Sequence, residues 1–321
     1  MEGLYKPGVI MIDVARTSRE TRRSTIFSKA ISFLKRFWLP TLLLLPGFIL
    51  LSVFFIYPTF NMFLSSFMEI DPFKGTTEFV GFSNYNAAFN DSVFIKSLYN
   101  TLVYVVFVTG IVIPLSFLIS LLVDGCSRRL GSFYRGVLYL PIIMAMSVSA
   151  MMWKLILDAN LGIISQILLR IGIHMPSLLG DAKYALMTVI GLGIWRSLGA
   201  NTILFIAGLK SLSREQLDAA KVDGATNWQS TFYIILPNIR YVISFITITT
   251  IIGCFQVFST IQILTSGGPN NATNVLVYKI WQEGFRFFDL GKANAISSLM
   301  FVALFGISIV MIRVLIKRTS A

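Results

Sequence analysis

Residues 38–67 read WLPTLLLLPGFILLSVFFIYPTFNMFLSSF, and no ionised side chain appears before Glu69. A helix that crosses a bilayer needs about 20 consecutive apolar residues, so this stretch is long enough to traverse hydrocarbon. Backbone N–H and C=O groups find no water there and must be satisfied within the segment, which selects helix. Barrel strands would alternate apolar and polar at every second position, and this stretch does not. It follows 37 residues, exceeds the length of an export-signal core and precedes no small-residue cleavage site, so the reading is a retained span.

Five further stretches read the same way. The second lies within Ser97 to Val123. The third lies between Arg135 and about Leu157, with Lys154 near its end. The fourth covers Tyr184 to Leu209 and is interrupted by Arg196. The fifth begins near Tyr241 and meets no charge until Lys279, which leaves its end open. The sixth covers Ala293 to Ile312. The expected fold class is therefore an all-α membrane protein with about six transmembrane helices. It comprises an arm at 1–37, a membrane domain at 38–316 and a tail at 317–321. Composition agrees: 55% of the 321 residues are hydrophobic and 13% charged, against about 25% charged in soluble domains. Pro46, Pro58 and Pro114 fall inside spans, where each removes a donor and bends its helix, as a tolerated kink or a used one.

Several chemistries lack their residues. Cys126 and Cys254 sit in different segments and His174 is the single histidine, so neither a metal site nor a disulfide framework is expected. No clustered nucleophile and base points to catalysis. The G-x-x-x-x-G-K-[ST] phosphate loop is absent, so ATP hydrolysis is not expected on this chain. The rival from another class is a secondary transporter, which would use ion-coupling carboxylates or broken helices near the midplane. No Asp or Glu falls clearly inside a span.

The net charge of +12 is read as topology rather than as affinity for nucleic acid. Most basic residues lie on one side: Lys6, Arg16, Arg19, Arg22, Arg23, Lys29, Lys35 and Arg36 in the arm, Arg128, Arg129 and Arg135 between spans two and three, Lys210, Arg214, Lys221 and Arg240 between four and five, and Arg313, Lys317 and Arg318 at the end. The opposite loops carry Lys74, Lys96, Arg170, Lys183, Lys279, Arg286 and Lys292. The lysine and arginine bias marks the cytoplasmic face, so both termini are expected inside a multi-pass cell-membrane protein. In the arm, Ile26, Phe27, Ala30, Ile31, Phe33 and Leu34 interleave with Lys29, Lys35 and Arg36. This fits a helix lying on acidic lipid or a plain extension of the first span.

The connection at about 210–240 is the most informative loop. Ser213 with Gln216 has capping-box spacing, and Glu215 suits a first turn. Asp223-Gly224 is a turn pair in which glycine permits a left-handed backbone. Thr226 with Gln229 is a second capping box, after which Ala225, Trp228 and Phe232 share a face. Pro237 ends the element or begins the next. The spacing predicts two short helices in a hairpin, docking another protein through Trp228 and Phe232 or resting on the membrane.

Asp218-Ala219-Ala220-x-x-Asp223-Gly224-Ala225 followed by Leu236-Pro237 resembles the "EAA" loop of ABC importer permeases. The resemblance runs from Trp38 to about Arg313. It includes Gly81-Phe82-Ser83-Asn84-Tyr85 with Phe89, Asn100 and Thr101, then Tyr139-Leu140-Pro141 and Trp153-Lys154. It continues through Trp195-Arg196-x-x-Gly199-x-Asn201, Ala207-Gly208-Leu209 and Leu264-Thr265-Ser266-Gly267-Gly268-Pro269. The subgroup resembled is the carbohydrate type, maltose-like and glycerol-3-phosphate-like. Asp218 departs from the usual glutamate, and Leu212-Ser213 from isoleucine-proline.

That resemblance implies a heterodimer with a second homologous permease, two ABC ATPase subunits carrying Mg-ATP, and an extracytoplasmic solute-binding protein. The solute implied is a sugar or oligosaccharide, with glycerol-3-phosphate or another polyol derivative as the alternative. It also implies that Glu215, Asp218, Ala219, Ala220, Asp223, Gly224, Ala225 and Trp228 couple to an ATPase. Gly267, Gly268 and Pro269 would lie near the docked binding protein or form a plain turn. For substrate contacts the sequence offers Phe255, Gln256, Phe258, Ser259 and Gln262 in span five and Asn201 in span four, with helix packing as the reading favoured over contact for each. Gln256 and Ser259 are expected to share a helical face. Arg196 either lines the pathway or pairs with a carboxylate or carbonyls across the permease interface.

Overall fold

The computed structural model describes residues 38 and 40–317. The arm, with its candidate amphipathic helix, and the tail from Arg318 lie outside them. The chain divides into two compact units, Met1–Asn61 and Met62–Ala321. The described part of the first is helix, belonging to the first span, Pro40–Ser65. Here Pro58 lacks an N–H and crowds the carbonyl four residues back. The helix answers with a widened π turn at Ser52–Ile56, where the Tyr57 N–H donates to the Ser52 carbonyl.

In the second unit, the end of that span is followed by an element that the spans do not include. Met68–Asp71 pairs antiparallel with Thr76–Phe79, Met68 opposite Phe79. The Asp71 carboxylate accepts from the Phe73 and Lys74 N–H groups at 2.9 and 3.1 Å, and Gly75 at φ +66° closes the turn. Asn84 holds the hairpin's root by donating to the Ser66 and Met68 carbonyls.

The second span is Ser92–Asp124 and the fourth Ala182–Lys210. Asp91 and Asp181 cap them, accepting from Val93 and Lys183 N–H groups. The two run parallel, since Tyr104 meets Gly193 and Phe117 meets Phe205, ring centroids 5.5 Å apart. A Cβ on Gly193 would strike the Tyr104 ring, which is why a small residue stands there. Arg240–Phe255 packs antiparallel to the fourth, with Gly208 against Val242 and Asn201 bonded to Thr250.

Two spans that the sequence reading takes as continuous are interrupted. The third starts at Arg128 rather than Arg135, so Arg128, Arg129 and Arg135 lie on a helix. It is also broken, with Arg128–Ile143 and Met146–Ile156 at 96° to each other. Met144 and Ala145 are extended at the break, just after Pro141. Gly199 admits this piece closely, because a Cβ there would fall on the Leu138 carbonyl oxygen. The fifth span is likewise interrupted. Arg240–Phe255 has 16 residues and rises about 24 Å, short of about 30 Å of hydrocarbon. After Gln256–Phe258 a second piece, Ser259–Leu264, extends it. The sixth span begins at Leu290 and so takes Lys292 into its first turn.

Candidate functional site

Both breaks open onto one cavity of about 470 Å³. Its walls are Tyr104 of the second span, Ile142 and Met146 beside the first break, Gly193, Arg196, Ser197 and Asn201 of the fourth span, and Thr249, Thr250 and Cys254 of the fifth. Gln256, Val257, Phe258 and Ser259 complete it at the second break. Irregular backbone at membrane depth is tolerated where it is buried or lines a cavity, and here it lines one.

Five expected residues therefore meet at this cavity: Arg196, Asn201, Gln256, Phe258 and Ser259. Phe255 does not, being buried in the apolar core with Val108 and Ile261, and Gln262 lies off the wall. Gln256 and Ser259 come together for a different reason from the one expected. The helix ends at Phe255 and restarts at Ser259, so the break and not a shared helical face unites them. Tyr104, Thr249 and Thr250 lack a motif of their own and were legible only as members of apolar spans.

Arg196 is braced within its own chain. Its Nη1 donates to the carbonyl oxygens of Pro141 at 3.0 Å and Met144 at 3.1 Å within this chain. The last carbonyls of a helix have no intrahelical donor, and a cation there complements the helix dipole. Asn201 donates to Thr250 Oγ1 at 3.2 Å, so it both joins two helices and faces the cavity.

A second cluster went unread in the sequence, where its members looked like loop charges. Asp91 Oδ2 meets Lys279 Nζ at 2.8 Å and Lys292 Nζ at 2.7 Å, and Glu283 Oε1 meets the same two amines at 2.5 and 3.3 Å. Lys279 and Glu283 side chains are each 5% exposed. Two cations and two anions so arranged are mutually neutralised. Burial pushes the Asp91 carboxyl up, but hydrogen bonds from Lys279, Lys292 and the Val93 N–H outweigh it and hold the group well below the usual carboxylate range. The spacing of Lys279 and Glu283, one helical turn, was the available signal. Their partner Asp91 lies far off in the chain.

Next to this cluster, Lys96 donates to the Asn270 carbonyl, Asn100 to those of Asn271 and Asn274, and the Leu276 N–H to Thr101 Oγ1. Asn100 and Thr101 thus rivet the segment after the fifth span onto the second. The turn at Gly267-Gly268-Pro269 belongs to this segment. Gly267, at φ +79° and buried, has no room for a Cβ against Tyr278, and Asn270 is the exposed residue beside it.

The loop at 210–240 forms the expected two short helices about a turn. Arg214–Val222 is its first helix, and Gly224 at φ +80° makes the turn. Thr226 and Gln229 build a complete capping box. Ser213, in contrast, caps without a side-chain hydrogen bond. Asn227–Asn238 then leads at 70° into Arg240–Phe255, with Pro237 in the last turn before the bend. Glu215, Asp218, Ala219, Asp223, Gly224 and Trp228 are exposed, and Ala220 and Ala225 half-buried. Trp228 and Phe232 stack at 5.9 Å, and with Val222 and Tyr233 they leave large apolar side chains uncovered. Asp218 pairs with Lys221 at 3.3 Å in solvent.

Residues 87–319 match the family described as binding-protein-dependent transport system inner membrane component. The chain is 32% identical over 277 residues to the sn-glycerol-3-phosphate transport system permease protein UgpA of Yersinia pseudotuberculosis, covering 86% of this chain and 94% of that one. The corresponding protein of Escherichia coli O157:H7 is 34% identical over 269 residues, covering 83% and 90%. Among solved structures, a bacterial ABC transporter that imports the acidic polysaccharide alginate has a similar chain, with a TM-score of 0.79 and 23% identity over 89% of this chain and 98% of that one. A bacterial alginate ABC transporter in complex with an alginate pentasaccharide-bound periplasmic protein gives 0.77 and 23%. At that identity the likeness is one of fold.

Proposed function

Because the chain belongs to the family of binding-protein-dependent transport system inner membrane components, we propose that it is one of two permease subunits of an ATP-driven importer. The solute is a sugar or oligosaccharide handed over by an extracytoplasmic binding protein. The chain does no covalent chemistry. Mg-ATP is bound and hydrolysed on two separate ATPase subunits, one of which seats the exposed hairpin at Glu215–Trp228. That hairpin, and with it both termini, lies on the cytoplasmic side, in keeping with the distribution of lysine and arginine.

The observation that carries this reading is the cavity of about 470 Å³ at two helix breaks. Sugars present hydroxyls and apolar ring faces, and Gln256, Ser259, Asn201 and Phe258 offer complementary amide, hydroxyl and aromatic surface. Broken helices around a site also occur in secondary transporters, and the match of residues 87–319 to the binding-protein-dependent family favours the ATP-driven class. The hairpin is the lever: closure of the ATPases moves it, and the 70° bend at Ile239 passes the motion to Arg240–Phe255. Uptake then depends on two states that the binding protein and the ATPases favour differently.

A second solute, glycerol-3-phosphate, is favoured by the names of the 31–34% identical relatives and by the guanidinium of Arg196 on the cavity wall. The test is reconstitution of this chain with its partner permease, ATPases and binding protein in vesicles. Uptake of a labelled oligosaccharide that requires ATP supports the main reading, and uptake of glycerol-3-phosphate alone supports the second. Uptake that proceeds without ATPase subunits contradicts both.

A further inference from the structure

The two pieces beyond the breaks, Met146–Ile156 of the third span and Ser259–Leu264 of the fifth, pack against each other. Ala150 of the first and Ile261 and Leu264 of the second belong to one apolar core. Lys154 adds a directional tie. It stands in the last turn of its own helix, and its Nζ donates to the Ile263 carbonyl at 3.0 Å, one residue before the other helix ends. The last carbonyls of a helix have no intrahelical donor and carry its negative pole. One cation therefore serves two helix C-termini, whose like partial charges would otherwise face each other uncompensated.

The residue before Lys154 meets the fourth span. Trp153 packs edge-on against Trp195, ring centroids 5.5 Å apart and planes at 78°. The next residue, Arg196, holds the Pro141 and Met144 carbonyls. Trp195-Arg196 thus touches the third span on both sides of its break, beyond it by the ring and before it by the cation. The ring contact is packing rather than a directional bond. The outer piece can turn there while Lys154 keeps it bound to its neighbour.

We propose that Lys154 is a positioning residue for transport. It joins Met146–Ile156 to Ser259–Leu264, so that the two pieces move as one body when the cavity changes the face to which it opens. Movement of either piece alone would strip the Ile263 carbonyl of a charged donor. On the two-state importer reading, on which this proposal rests, Lys154 lies off the cavity wall and sets the rate of the change rather than the affinity for solute.

The test is a pair of spin-label distances in the assembled transporter, on a background of Cys126→Ser and Cys254→Ser. Leu155→Cys with Ser266→Cys spans the two outer pieces, at exposed positions. Ser266 is held to the second piece by its N–H, which donates to the Ile261 carbonyl. Leu155→Cys with Phe245→Cys, also exposed, crosses from an outer piece to the helix before the second break. Between nucleotide-free and ATP-trapped states the first distance should shift by less than about 2 Å and the second by more than about 2 Å. In Lys154→Met the first distribution should lose its single narrow peak, and Lys154→Arg, which keeps donors, should restore it. The maximal rate of ATP-dependent uptake of a labelled oligosaccharide should fall about five-fold in Lys154→Met with half-saturation unchanged. A first distance that shifts as much as the second overturns the proposal. So does an unaltered first distribution, or wild-type uptake, in Lys154→Met. Uptake that needs no ATPase subunits counts instead against the importer reading, because the effect of Lys154→Met on the first distance is read without transport.

Discussion

Arg196 donates to the Met144 carbonyl oxygen at 3.1 Å, across the point where the third span turns through 96°. One side chain of the fourth span thereby fixes the geometry of a break in another and contributes to the wall of the cavity. Arg196→Leu leaves two helix-end carbonyls without a donor, a loss of about 1.5–3 kcal/mol for bonds to a charged group. It should lower thermal stability in detergent and reduce uptake together. Arg196→Lys, a point charge without the fork, should recover only part of each. Wild-type uptake by Arg196→Leu contradicts the bracing role.

The charged cluster predicts a contrast between single and paired substitutions. Lys279→Met leaves Glu283 buried with one partner fewer, at about 3–5 kcal/mol, whereas Lys279→Met with Glu283→Leu removes both charges of one pair. The double variant should be the more stable of the two by calorimetry or thermal shift. The opposite order contradicts a neutralised cluster.

Asp91 contributes to the acid limb of stability. Its carboxyl is held below its ordinary value in the folded chain, so its contribution is whole above about pH 4, the value in an unfolded chain. That contribution is lost as pH falls further toward the depressed folded value. Thermal stability should therefore owe no change between pH 5 and 8 to this group and decline below about pH 4. In Asp91→Asn the decline should be shallower, from a lower plateau, and an unchanged acid limb contradicts the assignment.

These residues also mark where the sequence was legible. Hydrocarbon demands long apolar runs, so the spans announced themselves, and Asp223-Gly224 and Thr226-Gln229 announced the hairpin because turn and cap chemistry is local. The breaks did not. Pro141 stands three residues before Met144 and Gly253 three before Gln256, but a lone Pro or Gly inside a long apolar run bends a helix as readily as it ends one. The Ser213 cap failed because spacing permits a side-chain bond without compelling it. The strands at Met68–Asp71 and Thr76–Phe79 carried turn signals at Asp71-Pro72 and Gly75, overlooked beside the stronger apolar pattern. Asp91, Lys279 and Lys292 looked like loop charges because nothing local ties residues so distant in the chain.

The hairpin yields a prediction about coupling. Gly224 sits at φ +80°, and proline is fixed near −65°. Gly224→Pro must therefore rebuild the turn. Asp218→Lys reverses a charge that bonds Lys221 in solvent, a contact worth at most about 1 kcal/mol. Both variants should insert in the membrane normally and lose uptake while the ATPase subunits keep their basal rate. Normal uptake in both contradicts a coupling role.

The central claim is that the cavity at the two breaks opens alternately to the two faces of the membrane. Ser259→Cys, placed on a background of Cys126→Ser and Cys254→Ser in the assembled transporter, reports on it with a membrane-impermeant thiol reagent applied from one side. Labelling from outside should change at least ten-fold between the nucleotide-free and the ATP-trapped states, with the opposite change from inside. Equal labelling in both states, from either side, contradicts the account.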